Sequence, residues 1–343
     1  MLTIDGSYGE GGGQILRTTL ALSAVLGRPV LVEKIRAGRR NPGLQAQHLA
    51  GVRALAEIAR AEVEGATGRS ESLSFVPGDI AHGAYRWDIG TAGAISLVLQ
   101  TILIPLALAP ASSQISITGG THVPWSPPFP YLEQVLLPVL ADMGLRASLA
   151  LRQWGFYPKG GGVVEGTVES SVLRPMELTQ RGSLREIVGL SAVGGVSLSV
   201  AERQRERALS RLRPLGVPCR IELHTVEARS PGTILFLLVK CDRGRAGFSS
   251  LGEKGKTAER VADEACDQVF AYLDRAGVAD PYLADQLLLP MALAPGSSSL
   301  TTTRVTEHLL SNWWVVEQFL PGRVRIEGEA GQPGSVIVGG RPT

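Results

Sequence analysis

The sequence predicts a mixed α/β (α+β) fold that consists of a large domain of repeated units and a small inserted domain. Three observations lead to this prediction. A stretch of sequence recurs, apolar helical segments alternate with short β-branched strands, and a segment of different pattern separates two of the copies. Helices that alternate with strands in this way pack against sheets to form layered α/β domains.

The recurrence is clear between the middle and the end of the chain. "PLALAPASSQISIT" (105–118) returns as "PMALAPGSSSLTTT" (290–303), and "LEQVLLP" (132–138) is echoed by "VEQFLP" (316–321). Two matches in the same order and at nearly the same offset indicate a duplicated unit. A third, more divergent copy begins at Gln14 with "QILRTTLALSAVLGRPVLVEKI".

Each unit is predicted to run helix, strand, loop, helix, strand. The first helix is apolar nearly all round and therefore buried, whereas the second carries charges on one face. Strands such as "PVLVEKI" and "QISIT" are short and rich in β-branched residues. Three such units would form the large domain, residues 1–181 and 278–343.

Residues 182–277 interrupt the repeat before its last copy. Their pattern predicts a small domain of order βαββα: the strand "REIVGLSAV", the helix "SVAERQRERALSRL", the strands "CRIELHTVE" and "TILFLLVKC", and the helix "TAERVADEACDQVFAYL". Arginines and glutamates interleave along the first of these helices, which favours a solvated face over an RNA-binding surface.

Composition excludes several classes of protein. The 343 residues carry a net charge of only +2, so a polyanion would have to be held by a local basic cluster. Three cysteines without a close pair, and no signal peptide, favour reduced thiols in the cytoplasm. The most apolar stretch, "AISLVLQTILIPLALAP", is too short for a transmembrane helix. We therefore expect no membrane segment.

The glycine-rich stretch "YGEGGGQILRTT" (8–19) resembles a phosphate-binding loop. A dinucleotide fingerprint would need a third glycine where Gln14 stands, and Glu10 would place a carboxylate beside a pyrophosphate. "GEKGKT" (252–257) ends like a P-loop but has Ser250 in place of the first required glycine. Both nucleotide-binding motifs are therefore disfavoured, and "GEKGKT" is expected to be a loop and helix cap.

Arginines and one histidine are the best candidates for chemistry. "RAGRRNPGLQAQH" (36–48) exposes forked guanidinium groups at a turn, and together with Arg17 it favours phosphate binding over a merely solvated loop. The histidines lack metal-ligand spacing. His308 lies at the predicted start of a helix, where Thr306 or Glu307 could cap it. From this position alone a structural role is the ordinary interpretation.

Taken together, these motifs resemble the RNA 3′-terminal phosphate cyclase family. The resemblance rests on "GEGGGQILR", "RAGRRNPGLQAQH", "GTAGAISLVLQ", "GFYPKGGG", "YLADQLLLPMALA" and "EHLLSN...VVEQFL", which occur in order over nearly the whole chain. The inserted segment matches only in length and pattern. The resemblance implies the same fold as the repeat: a large domain of α/β units with a small α/β domain inserted before the last.

The resemblance also implies an activity and its residues. A histidine attacks the α-phosphorus of ATP, AMP is transferred to an RNA 3′-phosphate, and the adjacent 2′-hydroxyl displaces AMP to leave a 2′,3′-cyclic phosphate. The assignment gives His308 as the nucleophile, Arg17, Arg36 and Arg39 as phosphate contacts, Gln47 as their polar neighbour, Gln100, Pro127, Tyr282, Leu283, Ala284, Asp285 and Gln286 around the adenosine, and Glu10 near a divalent metal, Mg or Mn.

Two other functions remain to be weighed. A non-catalytic RNA-processing scaffold of the same fold lacks the catalytic histidine, so the presence of His308 argues against it. An enolpyruvyl-transferase-like enzyme would need two repeat domains of comparable size and no nucleophilic histidine. The expected partner is RNA with a 3′-phosphate end. The physiological RNA, the preferred metal, protein partners and the oligomeric state are left open by the sequence.

Overall fold

The computed structural model describes residues 1–339, within which nine α-helices and sixteen β-strands are present. The helices are α1 (Gly13–Leu26), α2 (Ala46–Ile58), α3 (Ile95–Ala107), α4 (Phe129–Tyr131), α5 (Leu137–Asp142), α6 (Leu198–Leu212), α7 (Ala258–Leu273), α8 (Leu283–Leu293) and α9 (Glu307–Phe319). A π-helical stretch, Leu132–Leu136, joins α4 to α5, and a 3₁₀ turn, Arg213–Leu215, follows α6. The mixed α/β class is therefore confirmed.

The strands form four sheets of four strands each. They are β1 (Leu2–Asp5), β2 (Val30–Glu33), β3 (Glu62–Glu64), β4 (Leu73–Val76), β5 (Ala84–Asp88), β6 (Ser113–Gly119), β7 (Ala147–Gln153), β8 (Gly162–Val168), β9 (Glu177–Leu178), β10 (Leu184–Gly194), β11 (Cys219–Val226), β12 (Gly232–Cys241), β13 (Arg245–Leu251), β14 (Ser298–Thr302), β15 (Val324–Glu327) and β16 (Gly334–Val338).

Three of the sheets share one strand order. They run β1-β2-β4-β3, β5-β6-β8-β7 and β9-β14-β16-β15. In each, the first two strands are parallel and the other two pairings are antiparallel. In the first sheet α1 links the parallel strands β1 and β2, and in the second α3 links β5 and β6, because parallel strands need a crossover connection.

The fourth sheet corrects the predicted order of the inserted segment. It runs β11-β10-β12-β13 and, with α6 and α7, gives the order βαβββα rather than βαββα. The missed strand is β13, "RAGFSSL", which pairs antiparallel with β12. Its glycine and serines are typical of a loop, and pairing with a long apolar neighbour makes it a strand, because strand formation depends strongly on context.

The arginines of α6 pair with acids of α7. Arg207 and Arg211 both contact Asp263, with nitrogen–oxygen distances of 2.8 and 3.0 Å, and Arg211 also reaches Asp267 at 2.8 Å. The predicted solvated face is thus a partly exposed ion-pair layer between two helices. Behind it, the inner faces of α6 and α7 share an apolar core with β10, β12 and β13.

The central helices are buried almost all round, as their apolar sequences predict. In α3, Gln100 is the single residue of thirteen that is not buried, and in α8 Gln286 is the single such residue of eleven. The two glutamines face one another, because Gln100 Nε2 donates to Gln286 Oε1 at 3.0 Å. Within residues 1–339, no helix has both the length and the hydrophobicity needed to cross a bilayer.

Candidate active site

The glycine-rich loop before α1 is shaped by its contact with α9. Gly9 and Gly11 have left-handed backbone conformations, with φ of 54° and 57°, which favour glycine. A Cβ on Gly9 would lie 2.8 Å from the Oγ of Ser311 in α9. A side chain there would therefore separate the loop from α9 and from the histidine that α9 carries.

Glu10 connects the predicted nucleophile to one of the predicted arginines. Its Oε2 lies 2.6 Å from Nδ1 of His308, and its Oε1 lies 2.6 Å from Nη2 of Arg39. The three side chains are partly exposed, at 31% for Glu10, 47% for His308 and 37% for Arg39. The site is thus open to a ligand while the contact with Glu10 fixes the orientation of the imidazole.

The surroundings keep His308 neutral near pH 7. Burial lowers its pKa below the ordinary value, Arg17 and Arg39 lower it further, and Glu10 opposes the shift. Nδ1 must carry the proton to donate to the Glu10 carboxylate, so the neutral ring presents an unprotonated Nε2. A neutral imidazole with one free nitrogen is the state required of a nucleophile.

The position of His308 is set by a helix cap. The Oγ1 of Thr306 accepts a hydrogen bond from the backbone N–H of Leu309, so Thr306 is the N-cap of α9. It is one of the two residues predicted as candidate caps. His308 is therefore the second residue of this helix. The free N–H groups of such a first turn favour negative charge, which suits a phosphate ligand.

The start of α1 is held against a second histidine. Gly12 is the N-cap, with no side-chain hydrogen bond, and a Cβ on Gly13 would overlap the ring of His48. His48 Nδ1 accepts from the backbone N–H of Gln45 at 3.2 Å. Burial and the nearby charges of Arg17 and Arg36 lower the pKa of His48 to about 3, so the ring stays neutral. Sequence reasoning did not place His48 at this site.

Arg17 lines a cavity of about 40 Å³ between α1, α3, α8 and α9, which has both apolar and polar residues in its walls. Burial lowers its pKa to about 10, with the charge of Asp285 opposing, so the guanidinium remains protonated at neutral pH. Burial likewise raises the pKa of Asp285 to about 7, and Arg17 limits that rise. Arg17 Nε and Asp285 Oδ1 have no hydrogen-bond partner among the described residues, which leaves both free for a bound molecule.

The other residues predicted around the adenosine divide into two groups. Gln100 and Gln286 line the same cavity, and Gln286 Nε2 donates to the carbonyl of Tyr282 at 2.6 Å. Tyr282 is 44% exposed at the start of α8, and Pro127 is partly buried in the loop before α4. By contrast, the side chains of Leu283 and Ala284 lie in the apolar core, so only their backbone could contact a ligand.

Arg36 and Gln47 are engaged with the backbone. Arg36 Nη1 donates to the carbonyls of Asn41 and Gly43, at 2.6 and 3.0 Å, which stabilises the loop that carries Arg39. Gln47 Oε1 accepts from the N–H of Ala94, the residue before α3, at 3.1 Å. In this arrangement both residues position loops around the site rather than extend into open space.

The match to known proteins covers every residue of the site described above. A family model described as RNA 3′-terminal phosphate cyclase matches residues 8–326. The chain belongs to this family. The prediction of membership in this enzyme family is thereby confirmed.

Relatives of this family match over almost their full length. The RNA 3′-terminal phosphate cyclase of Methylococcus capsulatus is 44% identical over 351 residues, which cover 100% of this chain and 97% of the relative. That of Pyrococcus abyssi is 43% identical, with 98% of each chain covered, and that of Pyrobaculum neutrophilum is 46% identical, with 94% of each covered. Among solved structures, the enolpyruvyl transferase NikO from Streptomyces tendae aligns with a TM-score of 0.40, at 12% identity over 97% of this chain and 47% of its own.

Two residues of the family motif "EHLLSN" have roles that sequence reasoning did not assign. Asn312 Oδ1 accepts from Thr18 Oγ1 of α1 at 2.6 Å, and its Nδ2 donates to the carbonyl of Asp285 at 3.0 Å. Ser311 contacts Gly9, as described above. Both side chains are buried polar groups four residues or fewer after His308. Their polarity in a helix that otherwise packs in the core was the available signal.

Proposed function

We propose that this protein uses ATP to convert an RNA 3′-terminal phosphate into a 2′,3′-cyclic phosphate, through AMP bound covalently to His308. The observation that carries the proposal is the 2.6 Å contact between His308 Nδ1 and Glu10, which leaves Nε2 as the free nitrogen. Family membership supports the overall reaction, and the geometry of His308 supports the covalent route.

In the first step, Nε2 of His308 attacks the α-phosphorus of ATP. The N–P bond forms, the bond from the α-phosphorus to the bridging oxygen breaks, and pyrophosphate leaves. The ring then carries a positive charge, which the Glu10 carboxylate stabilises at Nδ1 as the acid of a catalytic triad does. His308 lies in the first turn of α9, whose N–H groups favour the phosphate charge.

In the second step, an oxygen of the RNA 3′-phosphate attacks the same phosphorus and the N–P bond breaks, which returns a neutral imidazole. In the third, the 2′-oxygen attacks the RNA phosphorus, loses its proton, and AMP leaves. Charge on the phosphoryl oxygens must be neutralised in each step. Arg39 and Arg17 are the charged groups placed to do so, with Arg36 and Gln47 holding the loops around them.

We propose that Gln100, Asp285 and Gln286 contact one edge of the adenosine, because the cavity of about 40 Å³ that they line is too small to enclose a nucleoside. The free acceptor and donor atoms of this cavity fit the edge of a purine, and Tyr282, whose carbonyl accepts from the lining residue Gln286, has an exposed ring. With a pKa of about 7, Asp285 is able to be protonated and donate, or ionised and accept. This versatility suits a carboxyl group that must pair with a heterocyclic base.

A divalent metal, Mg or Mn, is compatible with Glu10 alone as its protein ligand. Magnesium is commonly held by one or two carboxylates and by substrate phosphates, rather than by a cage of side chains. Each oxygen of Glu10 accepts one hydrogen bond and has a further lone pair. A bound ion would supply positive charge at the phosphates and orient them toward His308.

Mass spectrometry of the purified protein after incubation with ATP alone tests this proposal. We expect a mass increase equal to one AMP, lost on treatment with acid and retained in alkali, as for a phosphoramidate. His308→Asn should abolish it while keeping a polar side chain in the first turn of α9. His224→Ala, which removes an exposed histidine of the inserted segment, should retain it. An adduct that persists in folded His308→Asn would exclude the covalent route.

The organisation of the chain supports a related proposal. We infer that residues 1–181 and 278–343 form a large domain of three duplicated units, with residues 182–277 inserted before the last. The common strand order of three sheets supports duplication, and the separate core of α6, α7 and their sheet supports insertion. A cytoplasmic location stays a prediction.

A further inference from the structure

An exposed tryptophan lies in the loop between β6 and α4. Trp125 is 98% exposed, the highest value among the large hydrophobic residues of the described chain. Its backbone has a φ of 65°, a left-handed conformation that bulky residues rarely adopt and that is costly to hold. A large ring presented to solvent on a strained backbone is unfavourable for a free protein, which points to a ligand.

A second exposed aromatic residue, Tyr157, lies in the segment between β7 and β8. Tyr157 is 67% exposed. The segments are joined by a bridge between His122 and Phe156 and by a hydrogen bond from the N–H of Thr121 to the carbonyl of Gly155, at 2.9 Å. Trp125 is three positions after His122, and Tyr157 directly follows Phe156. Their Cα atoms therefore lie within about 20 Å of each other.

Two cations accompany these rings. Lys159 follows Tyr157 in the turn between β7 and β8, and its N–H donates to Ser230 Oγ at 3.0 Å, beside Arg229 in the chain. The side chain of Arg229 lies against Gly161 of the same turn. Both cations are exposed and make no ion pair within residues 1–339, unlike the paired arginines of α6. We name Trp125, Tyr157, Lys159 and Arg229 the aromatic rim.

The aromatic rim is continuous with the candidate active site. A Cβ on Gly160 would lie 2.7 Å from the Cα of Ala92, so the turn rests on the loop before α3. Gln47 accepts from the N–H of Ala94 in that loop. Leu97 of α3 packs with Val123, two residues before Trp125. The same Leu97 lines a small cavity with Gln47, His48 and Arg17.

We infer that the aromatic rim binds the nucleotides upstream of the RNA 3′ end. Single-stranded nucleic acid is bound without sequence preference by aromatic rings on which bases stack and by cations that follow the backbone, and the rim offers both. This inference rests on the proposed function for the identity of the strand. It adds a binding site for the body of the RNA, at a distance from the atoms that react.

Trp125→Gly is the variant of choice, because glycine adopts a positive φ freely and the ring is removed without backbone strain. Trp125→Phe retains a stacking surface. Fluorescence anisotropy compares a long single-stranded RNA and a dinucleotide, both ending in 3′-phosphate. For Trp125→Gly we expect the affinity for the long RNA to fall by about 5- to 150-fold, with little change for the dinucleotide. Trp125→Phe should lie close to wild type.

The cations are tested by salt dependence. Lys159→Ala and Arg229→Ala should each reduce the slope of log affinity against log salt by about 0.7, the value for one phosphate contact on a single strand. Lys254→Ala, which removes an exposed lysine of the "GEKGKT" loop, is the matched control and should leave the slope unchanged.

Three results would overturn the inference: an unchanged affinity of Trp125→Gly for the long RNA, equal losses for the two probes, or a changed state of association with RNA affinity retained, which would assign the ring to a protein contact. Self-adenylylation is measured separately on every variant with ATP and no RNA. Its absence in the wild type would refute the proposed function, while the anisotropy would still decide whether the rim binds RNA.

Discussion

Replacing Glu10 by glutamine tests how the proposed nucleophile, His308, is oriented and stabilised. In the structure the Glu10 carboxylate accepts the Nδ1 proton of His308 at 2.6 Å and also pairs with Arg39. The amide of Glu10→Gln has nearly the same shape but no charge. It can still accept one hydrogen bond, yet it no longer stabilises the imidazolium that forms when Nε2 bonds to phosphorus.

The expected loss of rate follows from the strength of the hydrogen bond between Glu10 and His308. A hydrogen bond to a charged group contributes about 1.5–3 kcal/mol. Because the side chains of Glu10 and His308 are 31% and 47% exposed, solvent screening reduces this to about 1–2 kcal/mol. The rate of self-adenylylation should therefore fall about 5- to 30-fold.

The dependence of the self-adenylylation rate on pH gives an independent test. The pKa of His308 is lowered by burial, so the nucleophilic neutral form is present above that pKa and the rate falls as pH drops through it. Glu10 raises this pKa against the effect of burial. Glu10→Gln should thus lower the pKa further and move the acid limb to lower pH, while the plateau rate also falls.

The assay is single-turnover transfer of labelled AMP to the protein across pH. Glu307→Gln is the matched control, because it removes a carboxylate from the same first turn of α9 without touching His308 Nδ1, and it should retain the wild-type rate and profile. A normal rate in Glu10→Gln would refute the orientation argument. So would a loss that excess metal restores without any shift of the acid limb, since Glu10 would then act only as a metal ligand.

Four further outcomes are expected. Arg39→Ala should slow RNA cyclisation by an amount on the order of 2–4 kcal/mol of transition-state stabilisation, with an unchanged melting temperature. Arg17→Ala should slow cyclisation similarly but also lower the free energy of unfolding by about 1–3 kcal/mol, because Asp285 loses its neighbouring cation. In urea titrations, adding Asp285→Asn to Arg17→Ala should restore stability but not activity. Gly13→Ala should destabilise by about 1–3 kcal/mol through overlap with His48, and thermal melts should show His48→Ala relieving part of this. An RNA ending in 3′-phosphate should be converted and one ending in 3′-hydroxyl should not, which gel analysis of both products will check.

The parts of the site that the sequence predicted are those with local signatures. The glycine turns, the cap of α9 by one of two candidate residues and the buried apolar helices each follow from short-range chemistry, and the motif resemblance singled out His308. The pairing of Glu10 with His308 could not be predicted, since nearly three hundred residues separate them. It depends on how α1 docks on α9, which no short pattern encodes. Strand β13 was missed for a similar reason, because its pairing partner rather than its composition makes it a strand.

Ring stacking, a hydrogen bond and a close backbone approach hold α1 and the loop before it against α9. Tyr8 stacks on Trp314 with ring centroids 4.1 Å apart, Thr18 donates to Asn312, and Gly9 admits Ser311. These contacts join the beginning of the chain to its end. The proposed nucleophile His308 lies on α9 and the carboxylate of Glu10 lies in the loop before α1, so the proposed catalytic geometry depends on the packing of these two helices.

The same packing accounts for the presence of a carboxylate in the proposed phosphate site. The first turns of α1 and α9 both open near Glu10, and Arg39 and Arg17 add positive charge around it. Without a ligand, Glu10 compensates this charge and keeps His308 correctly oriented. When a triphosphate enters, the carboxylate would repel it unless a cation joined the two. Under the proposed function, a divalent metal would resolve the conflict without displacing Glu10 from His308, because each carboxylate oxygen retains a free lone pair. We therefore expect metal and ATP to bind with positive cooperativity, and Glu10→Gln to reduce this coupling.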